Sequence, residues 1–566
     1  MDTPTSGMNS KTFDEAVAEL TAAGGRYEIV EANVLGVDMK VFKNCPPSLR
    51  DLYAGARARP DQPFIVYEDE TYTFGEVMAQ ADALASLLVS HYGITKGDRV
   101  AIAMRNYPEW IVSFVAITSI GAISVSLNAL WTADELTYAV SDSTPKVVIA
   151  DDARIERMHG ACERAGAKIL AVRPEGDLPA GVDLWADLVK LGAPCPDVTI
   201  GTDDDATILY TSGTTGNPKG AVSTHRAVLQ SILAFGCRGE VDKVRNMAAV
   251  ETDGPPAFIL IVPLFHVTGG VAVMLNCIAA GVKLVIMYKW DVERALQLIE
   301  RERVTNFVGV PTQSWDLVNS PNFAKYDTSS LRRIGGGGAP APAKLVEKVS
   351  KSFPKGAPNL GYGMTETNAY GPQNAAEDFV NHPTSTGRPI PTMELEIRDP
   401  DHKPLQRGQR GEIWFKGPML IRGYWGKPEA TAETIVDGWL CTGDIGRIDD
   451  EGFVYVEDRA KDMILRGGEN VYCAEVEGAI YEHPAVHEAA VFGIPHERLG
   501  EEVGVAIHLN EGATLDPEEL KAHVASRLAA FKVPAHVYIV NDPLPRNAAG
   551  KFLKRELRDQ IGSATK

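Results

Sequence analysis

Tyr210-Thr211-Ser212-Gly213-Thr214-Thr215-Gly216-Asn217-Pro218-Lys219-Gly220 is the stretch from which the fold and the chemistry can both be argued. Its eleven positions hold four Ser or Thr hydroxyls, three glycines and one lysine. Glycine lets a backbone approach an anion and turn its N–H groups inward, hydroxyls add donors, and a lysine adds charge. A flexible surface loop would not need that concentration of donors, so the stretch reads as a phosphate cradle. It is not the Walker A spacing, because Lys219 is followed by Gly220 and not by Ser or Thr. An apolar run, 206–210, precedes it as a strand, and a helix is expected from Ser223 onward.

Working outward, residues 48–360 alternate helical patterns with short β-branched runs. Residues 75–92 form an amphipathic pattern, with Thr73 as N-cap and Glu76 near the start. Strands are expected at 99–104, 146–150, 169–172, 208–210, 283–287 and 304–309. This alternation predicts an α/β protein with a large N-terminal domain of helix-flanked sheets. Between 389 and 456 the runs shorten and Gly, Pro and Asp turns multiply, as around 411–416 and 452–456, which marks a small β-rich subdomain. After Arg459-Ala460-Lys461-Asp462 an α+β pattern returns, with helices near 474–482 and 517–528. The boundary is drawn there: 1–460 as a large N-terminal domain, and 461–566 as a small separate C-terminal domain.

At 566 residues the chain exceeds one ordinary core. Apolar and charged fractions of 45% and 23% are those of a globular protein. With 56 basic and 75 acidic side chains the net charge is -19, which argues against non-specific nucleic-acid binding. The seven cysteines form no C-x-x-C pair, so neither a zinc site nor a disulfide framework is expected. The first twenty residues lack the pattern of a secretory signal and the last five spell no peroxisomal address, so a cytoplasmic location is expected. Two stretches, 110–131 without charge and 258–287 with only His266 and Lys283, resemble membrane spans in composition. Internal Gly, Thr, Asn and Pro263, without strongly basic flanks, favour buried core, and no transmembrane segment is expected.

The phosphate loop resembles the signature of the adenylate-forming superfamily: acyl- and aryl-CoA synthetases, peptide-synthetase adenylation domains and firefly-type luciferases. Almost the whole chain supports the resemblance, because further motifs follow in the family's order. Gly335-Gly336-Gly337-Gly338-Ala339-Pro340 is similar to the loop whose backbone passes under adenine, and Gly361-Tyr362-Gly363-Met364-Thr365-Glu366 to the motif after it. The resemblance implies that Tyr362 stacks on adenine, Thr365 contacts phosphate, and Glu366 with Thr215 holds magnesium. The chemistry suits the types: an aromatic face for a purine, hard oxygens for Mg²⁺. Thr442-Gly443-Asp444, a common turn when isolated, is followed by Asp458-Arg459 at the family's spacing. By resemblance Asp444 accepts from the ribose hydroxyls and Arg459 contacts ribose or phosphate oxygens.

Lys551, in Pro545-Arg546-Asn547-Ala548-Ala549-Gly550-Lys551, resembles the family's C-terminal catalytic lysine. The implied reaction has two steps, with ATP and coenzyme A as co-substrates. A carboxylate first attacks the α-phosphate, where crowded charge asks for cations and placed donors more than for a base. A thiol then attacks the acyl-adenylate, and the resemblance implies rotation about a hinge at Lys461 that removes Lys551. Gly467 and Gly468 would line a pantetheine tunnel or form a plain turn. Cys473 stands where many relatives carry proline and reads as a buried structural thiol.

By the same resemblance His266, in Pro263-Leu264-Phe265-His266-Val267-Thr268-Gly269-Gly270, sits where the family places a gate to the acyl pocket. No acid lies within 265–274, which disfavours an amino-acid substrate, since its buried α-amine would be unpaired. The stretch from Asp437 through Glu475 resembles the fatty-acyl-CoA synthetase signature, so a medium- or long-chain fatty acid is the first expectation. An aryl or alicyclic acid stays open, as does a different thiol acceptor or a luciferase-like oxygenase, whereas Lys551, Glu366 and the phosphate loop argue against a nucleotide-binding regulator without turnover. No carrier-like segment follows Lys566, and a homodimer is left open.

Overall fold

The computed structural model describes residues 11–211, 217–245, 254–309, 311–337, 348–349, 351–353, 357–459, 462–466, 469–546 and 552–564. Two eight-stranded sheets and a five-stranded sheet are built from residues up to Arg459, together with a two-stranded ribbon, Ile29–Val34 with Val37–Phe42; a second five-stranded sheet lies wholly within Ile464–Val540. The chain is therefore an α/β protein with one large and one small part.

The first eight-stranded sheet has the spatial order 423–424, 220–224, 205–210, 123–126, 99–103, 147–151, 168–172, 182–184. Strand Arg99–Ala103 runs parallel to both Ile123–Ser126 and Val147–Asp151. The second runs 373–375, 357–361, 333–337, 306–309, 257–260, 283–286, 63–67, 70–73. Its central strands are parallel and their ends come level, with Gly309 opposite Gly336 and Gly337 opposite Gly361.

Helices Phe74–Ser90 and Pro108–Ser119 fill a core that touches strands of both large sheets. The first starts as its sequence dictates: the Thr73 side chain accepts from the Glu76 N–H while the Glu76 carboxylate accepts from the Thr73 N–H. In the second, every residue except Glu109 is buried, as expected of a helix that is apolar all round. The charge-free stretch 110–131 is thus core helix followed by core strand. Residues 258–287 likewise divide into strand, turn, helix and strand. Among the described residues no helix is long and apolar enough to cross a membrane. All seven cysteines are free thiols.

One expectation needs correcting. The run after the phosphate loop is not helical from Ser223: Gly220–Thr224 is a strand antiparallel to Asp205–Tyr210, with Gly220 opposite Tyr210, and the helix begins at His225. All five residues of that strand are buried, and a run this short with no exposed face carries no period to distinguish strand from helix. The loop therefore joins two antiparallel strands and does not open a helix.

Candidate active site

Residues from four of the five sheets face one cleft of about 2930 Å³. The glycine-ended strands of the second large sheet form part of its wall, through Gly309, Gly336 and Gly361. At Gly361 a Cβ would meet only Gln373 Cγ, 4.0 Å away, so this end leaves room beside the backbone, whereas at Gly309 it would lie 2.7 Å from Gln313 Oε1 and Ile261 Cδ1. Gly363 has a different reason: a Cβ there would lie 2.1 Å from the Ala369 carbonyl oxygen, so this glycine permits a fold-back of the chain.

Asp444 and Arg459 face each other across adjacent antiparallel strands, Trp439–Ile448 and Val454–Arg459, and are direct register partners. Arg459 Nε lies 3.3 Å from Asp444 Oδ1, while the Tyr362 hydroxyl donates to Asp444 Oδ2. Burial, and then the Asp444 charge, hold the Tyr362 phenol well above its ordinary pKa, so it remains a donor. The Tyr362 ring also leans on Phe415, with centroids 5.7 Å apart. The Asp444 N–H is tied to the Thr442 hydroxyl at 3.1 Å, and that hydroxyl donates to the Ile413 carbonyl at 2.7 Å.

Glu366 is buried at the cleft, and its Oε1 accepts from the Tyr424 hydroxyl at 2.7 Å. Tyr424 stands on the short strand Gly423–Tyr424, opposite Ala221 of the phosphate-loop hairpin, and the Lys219 ammonium lies 4.9 Å from its ring centroid. Burial and the Glu366 charge raise the Tyr424 phenol pKa. The Thr211 N–H closes the loop base onto the Lys219 carbonyl at 2.9 Å. Thr365 and Glu366 lie in a short 3-10 turn, and the Ile421 N–H donates to the Glu366 carbonyl at 2.9 Å.

His266 lines the same cleft at the start of an unusual element, a π-helix over Thr268–Leu275. A Cβ at Gly269 would lie 2.1 Å from the Pro263 carbonyl oxygen, and one at Gly270 would lie 2.8 Å from that of Leu264, so both glycines are needed for this turn to close. His266 Nδ1 accepts from the Thr268 N–H at 3.3 Å, which leaves Nε2 to carry the proton of the neutral ring.

The structure thus brings Thr211, Lys219, Gly361, Tyr362, Gly363, Thr365, Glu366, Asp444, Arg459 and His266 to one cleft, with Gly337 beside Gly361. Ser212, Gly213, Thr214, Thr215, Gly216, Gly338, Ala339, Pro340, Lys461, Gly467, Gly468 and Lys551 lie outside the described residues. Sequence reasoning missed Tyr424, whose link to Glu366 spans 58 positions and arises from strand pairing. It also missed Asn106, which is buried, accepts from the Leu264 N–H at 2.8 Å and donates to the Val262 carbonyl at 3.1 Å. That side chain holds the His266 turn against the helix Pro108–Ser119, and nothing in the local sequence announces it.

A large and a small part, with Tyr362, Glu366, Asp444 and Arg459 facing one cleft, is the architecture of an adenylating enzyme. The chain belongs to the AMP-binding enzyme family, whose model matches residues 52–425, and the family's C-terminal domain model matches 475–551. It is 34% identical over 550 residues to a long-chain-fatty-acid–CoA ligase of Bacillus subtilis (strain 168), covering 91% of this chain and 94% of that protein. It is 35% identical over 510 residues to a feruloyl-CoA synthase of Amycolatopsis sp., covering 90% and 97%. The crystal structure of ATP-bound MatB from Rhodopseudomonas palustris superposes with a TM-score of 0.80 at 32% identity, covering 91% and 100%. The chain is an enzyme of the AMP-forming acid–thiol ligase class.

Proposed function

We propose that the protein is an acyl-CoA synthetase that activates a hydrophobic carboxylic acid, a medium- or long-chain fatty acid in the first instance. In the first step a carboxylate oxygen bonds to the α-phosphorus of ATP, the bond from that phosphorus to the bridging oxygen breaks, and pyrophosphate leaves. In the second a coenzyme A thiolate attacks the acyl carbon and AMP departs. The observation that carries this reading is the convergence on one cleft of the glycine-ended strands, the Tyr362–Asp444–Arg459 cluster and Glu366.

In this reading Asp444 accepts from the ribose hydroxyls while Tyr362 and Arg459 hold its carboxylate in place. The adenine lies against the Gly337 and Gly361 strand ends, beside Tyr362. Thr211, Ser212, Gly213, Thr214, Thr215, Gly216 and Lys219 surround the leaving phosphates. Lys551 neutralises charge between carboxylate and α-phosphate, a role for which a mobile cation suffices. His266 stands at the entrance to the acyl pocket.

Among the described residues no three His, Cys, Asp or Glu side chains come together to hold a metal. A single buried carboxylate, Glu366, fits a magnesium ion that arrives with the nucleotide, since Mg²⁺ keeps several waters and binds through one or two carboxylates plus phosphates. Such an ion would offset phosphate charge.

We further propose that residues 461–566 move as a unit about Lys461, carrying Lys551 out and Gly467–Gly468 in for the second step. A bulky aryl or alicyclic acid is the second reading, favoured by the feruloyl-CoA synthase among the relatives. A panel of saturated fatty, aryl and alicyclic acids, assayed for AMP and pyrophosphate release with and without coenzyme A, separates the two. The first reading expects the highest kcat/KM for the fatty series and full turnover only with coenzyme A. Turnover confined to aryl acids would replace it by the second, and sustained AMP release without a thiol would remove coenzyme A from the account.

A further inference from the structure

The linking segment between the two parts is spanned by a cluster to which the reaction described above gives no task. Asp458 ends the strand Val454–Arg459 of the large part, next to Arg459, and is 8% exposed. Its carboxylate accepts the Arg459 N–H at 2.7 Å and, across the linker, the N–H of Cys473. Cys473 is the first residue of the helix Cys473–Tyr481 in the C-terminal part, whose own N-cap, Tyr472, supplies no side-chain bond. Asp458 thus takes over the capping of that helix from the other side of the linker, where a carboxylate is favoured by both the free N–H and the helix dipole. The Cys473 thiol adds a second tie, donating to the Asp462 carbonyl at 3.0 Å.

Behind this cap lies Lys554, the first residue of the helix Lys554–Ala564, with a side chain four-fifths buried. Its ammonium is 2.8 Å from Glu477 Oε1, on the capped helix, and that oxygen also accepts the Val491 N–H at 2.8 Å. Burial works against the Lys554 charge, and the neighbouring Glu477 and Asp462 carboxylates outweigh it and keep the ammonium protonated. Lys554 follows Lys551 by three positions, so the point at which it is anchored limits where the tail lysine can reach.

We propose that Asp458, Glu477 and Lys554 form a clamp that fixes the tail lysine segment relative to the Asp444–Arg459 strand pair, with Lys554 a positioning residue for the first half-reaction. The inference rests on the adenylation reading given above. Charge makes the clamp sensitive to acid. Burial pushes the Asp458 carboxyl up to about 6, against the pull of Lys554, while Glu477 adds to the rise. The groups that face it are Lys554 from the last helix, Glu477 and Cys473 from the capped helix, and Arg459 from its own strand. Above about pH 6 the carboxylate is charged and the cap is strong; below it the cap weakens.

The test uses the full-length chain with Lys554→Met, Lys554→Arg and Asp458→Asn. Acid-dependent exchange of labelled pyrophosphate into ATP reads the first half-reaction, and thioester formation from supplied acyl-adenylate reads the second. Tryptic cleavage after Arg459 or Lys461 reads the linker. Lys554→Met is expected to lower the exchange kcat by up to the order of 100-fold, as misplacement of a catalytic group does, with little change in the KM for ATP. Lys554→Arg should restore most of it. Asp458→Asn should speed linker cleavage and remove an acid limb near pH 6 from the exchange profile. Equal losses in both half-reactions for Lys554→Met, or an unchanged acid limb and cleavage rate in Asp458→Asn, would overturn the clamp. Wild-type protein without any acid-dependent exchange would overturn the adenylation reading itself, a result distinct from a variant that merely equals the wild type.

Discussion

Asp444 is held from two sides before any ligand arrives, by the Tyr362 hydroxyl on one oxygen and Arg459 on the other. In the proposed role, a carboxylate fixed in this way need not reorganise to receive two ribose hydroxyls. Replacing Tyr362 by Phe removes one hydrogen bond to a charged group, an interaction of about 1.5–3 kcal/mol. The KM for ATP is therefore expected to rise by roughly 10-fold or more, with the KM for the acid little changed. Steady-state titration of both substrates checks this, and an unchanged ATP KM would show that Asp444 needs no help from Tyr362. At this scale much of the site was legible, because Asp444, Arg459, Glu366 and Tyr362 stand in motifs with characteristic spacing. Tyr424 and Asn106 were not, since each acts on a residue far away in the chain through a bond created by packing.

Elements differ in how plainly sequence declares them. The helix Phe74–Ser90 declares itself through Thr73 and Glu76, and the strand Gly411–Lys416 through the turns that bound it. The strand Gly220–Thr224 and the π-helix Thr268–Leu275 do not, because both are short, almost wholly buried and without a period of their own, and owe their form to neighbours. The junction at His225 carries a consequence for stability. This histidine opens the helix His225–Val244 and accepts, through Nδ1, the N–H of Leu49 at the start of the helix Leu49–Arg57, at 3.1 Å. Burial lowers its pKa to about 4, from 6.5. The folded protein thus keeps it neutral while the unfolded chain takes up a proton first as pH falls. The stability it contributes is complete above about pH 6.5 and is lost progressively down to about 4, up to about 3 kcal/mol. Urea unfolding of the protein and of His225→Asn, at pH 7 and pH 4.5, should show the gap between them narrowing on acidification. A constant gap would contradict the burial argument.

For the molecule as a whole, the proposed function divides the chemistry between a large part ending at Arg459 and a small part whose sheet lies within Ile464–Val540. The large part holds Tyr362, Glu366, Asp444 and Arg459, the residues proposed to bind nucleotide, and the small part has its own sheet and core. In the proposed cycle each half-reaction uses a different face of the small part. Lys551→Ala is accordingly expected to cut adenylate formation by about 100-fold or more, the scale of losing one charge-stabilising group, while largely sparing thioester formation from supplied acyl-adenylate. Lys461→Pro should slow the second step more than the first, by restricting the backbone rotation. Separate assays of the two half-reactions check both, and parallel losses in either variant would remove the division of labour. The switch from an α/β pattern to short strands and back gave the broad architecture away in the sequence. The arrangement of the sheets about one cleft did not follow from it, because adjacency between strands distant in the chain depends on crossovers that no local pattern records.

The central claim is that one cleft brings a carboxylate to the α-phosphorus of ATP. Exchange of labelled pyrophosphate into ATP, measured with magnesium and a hydrophobic acid but no thiol, tests it most directly. The account expects exchange that requires the acid, saturates with it and vanishes in Lys551→Ala. Protein that binds ATP yet exchanges nothing with any acid of the panel, or that exchanges equally well without acid, would contradict it.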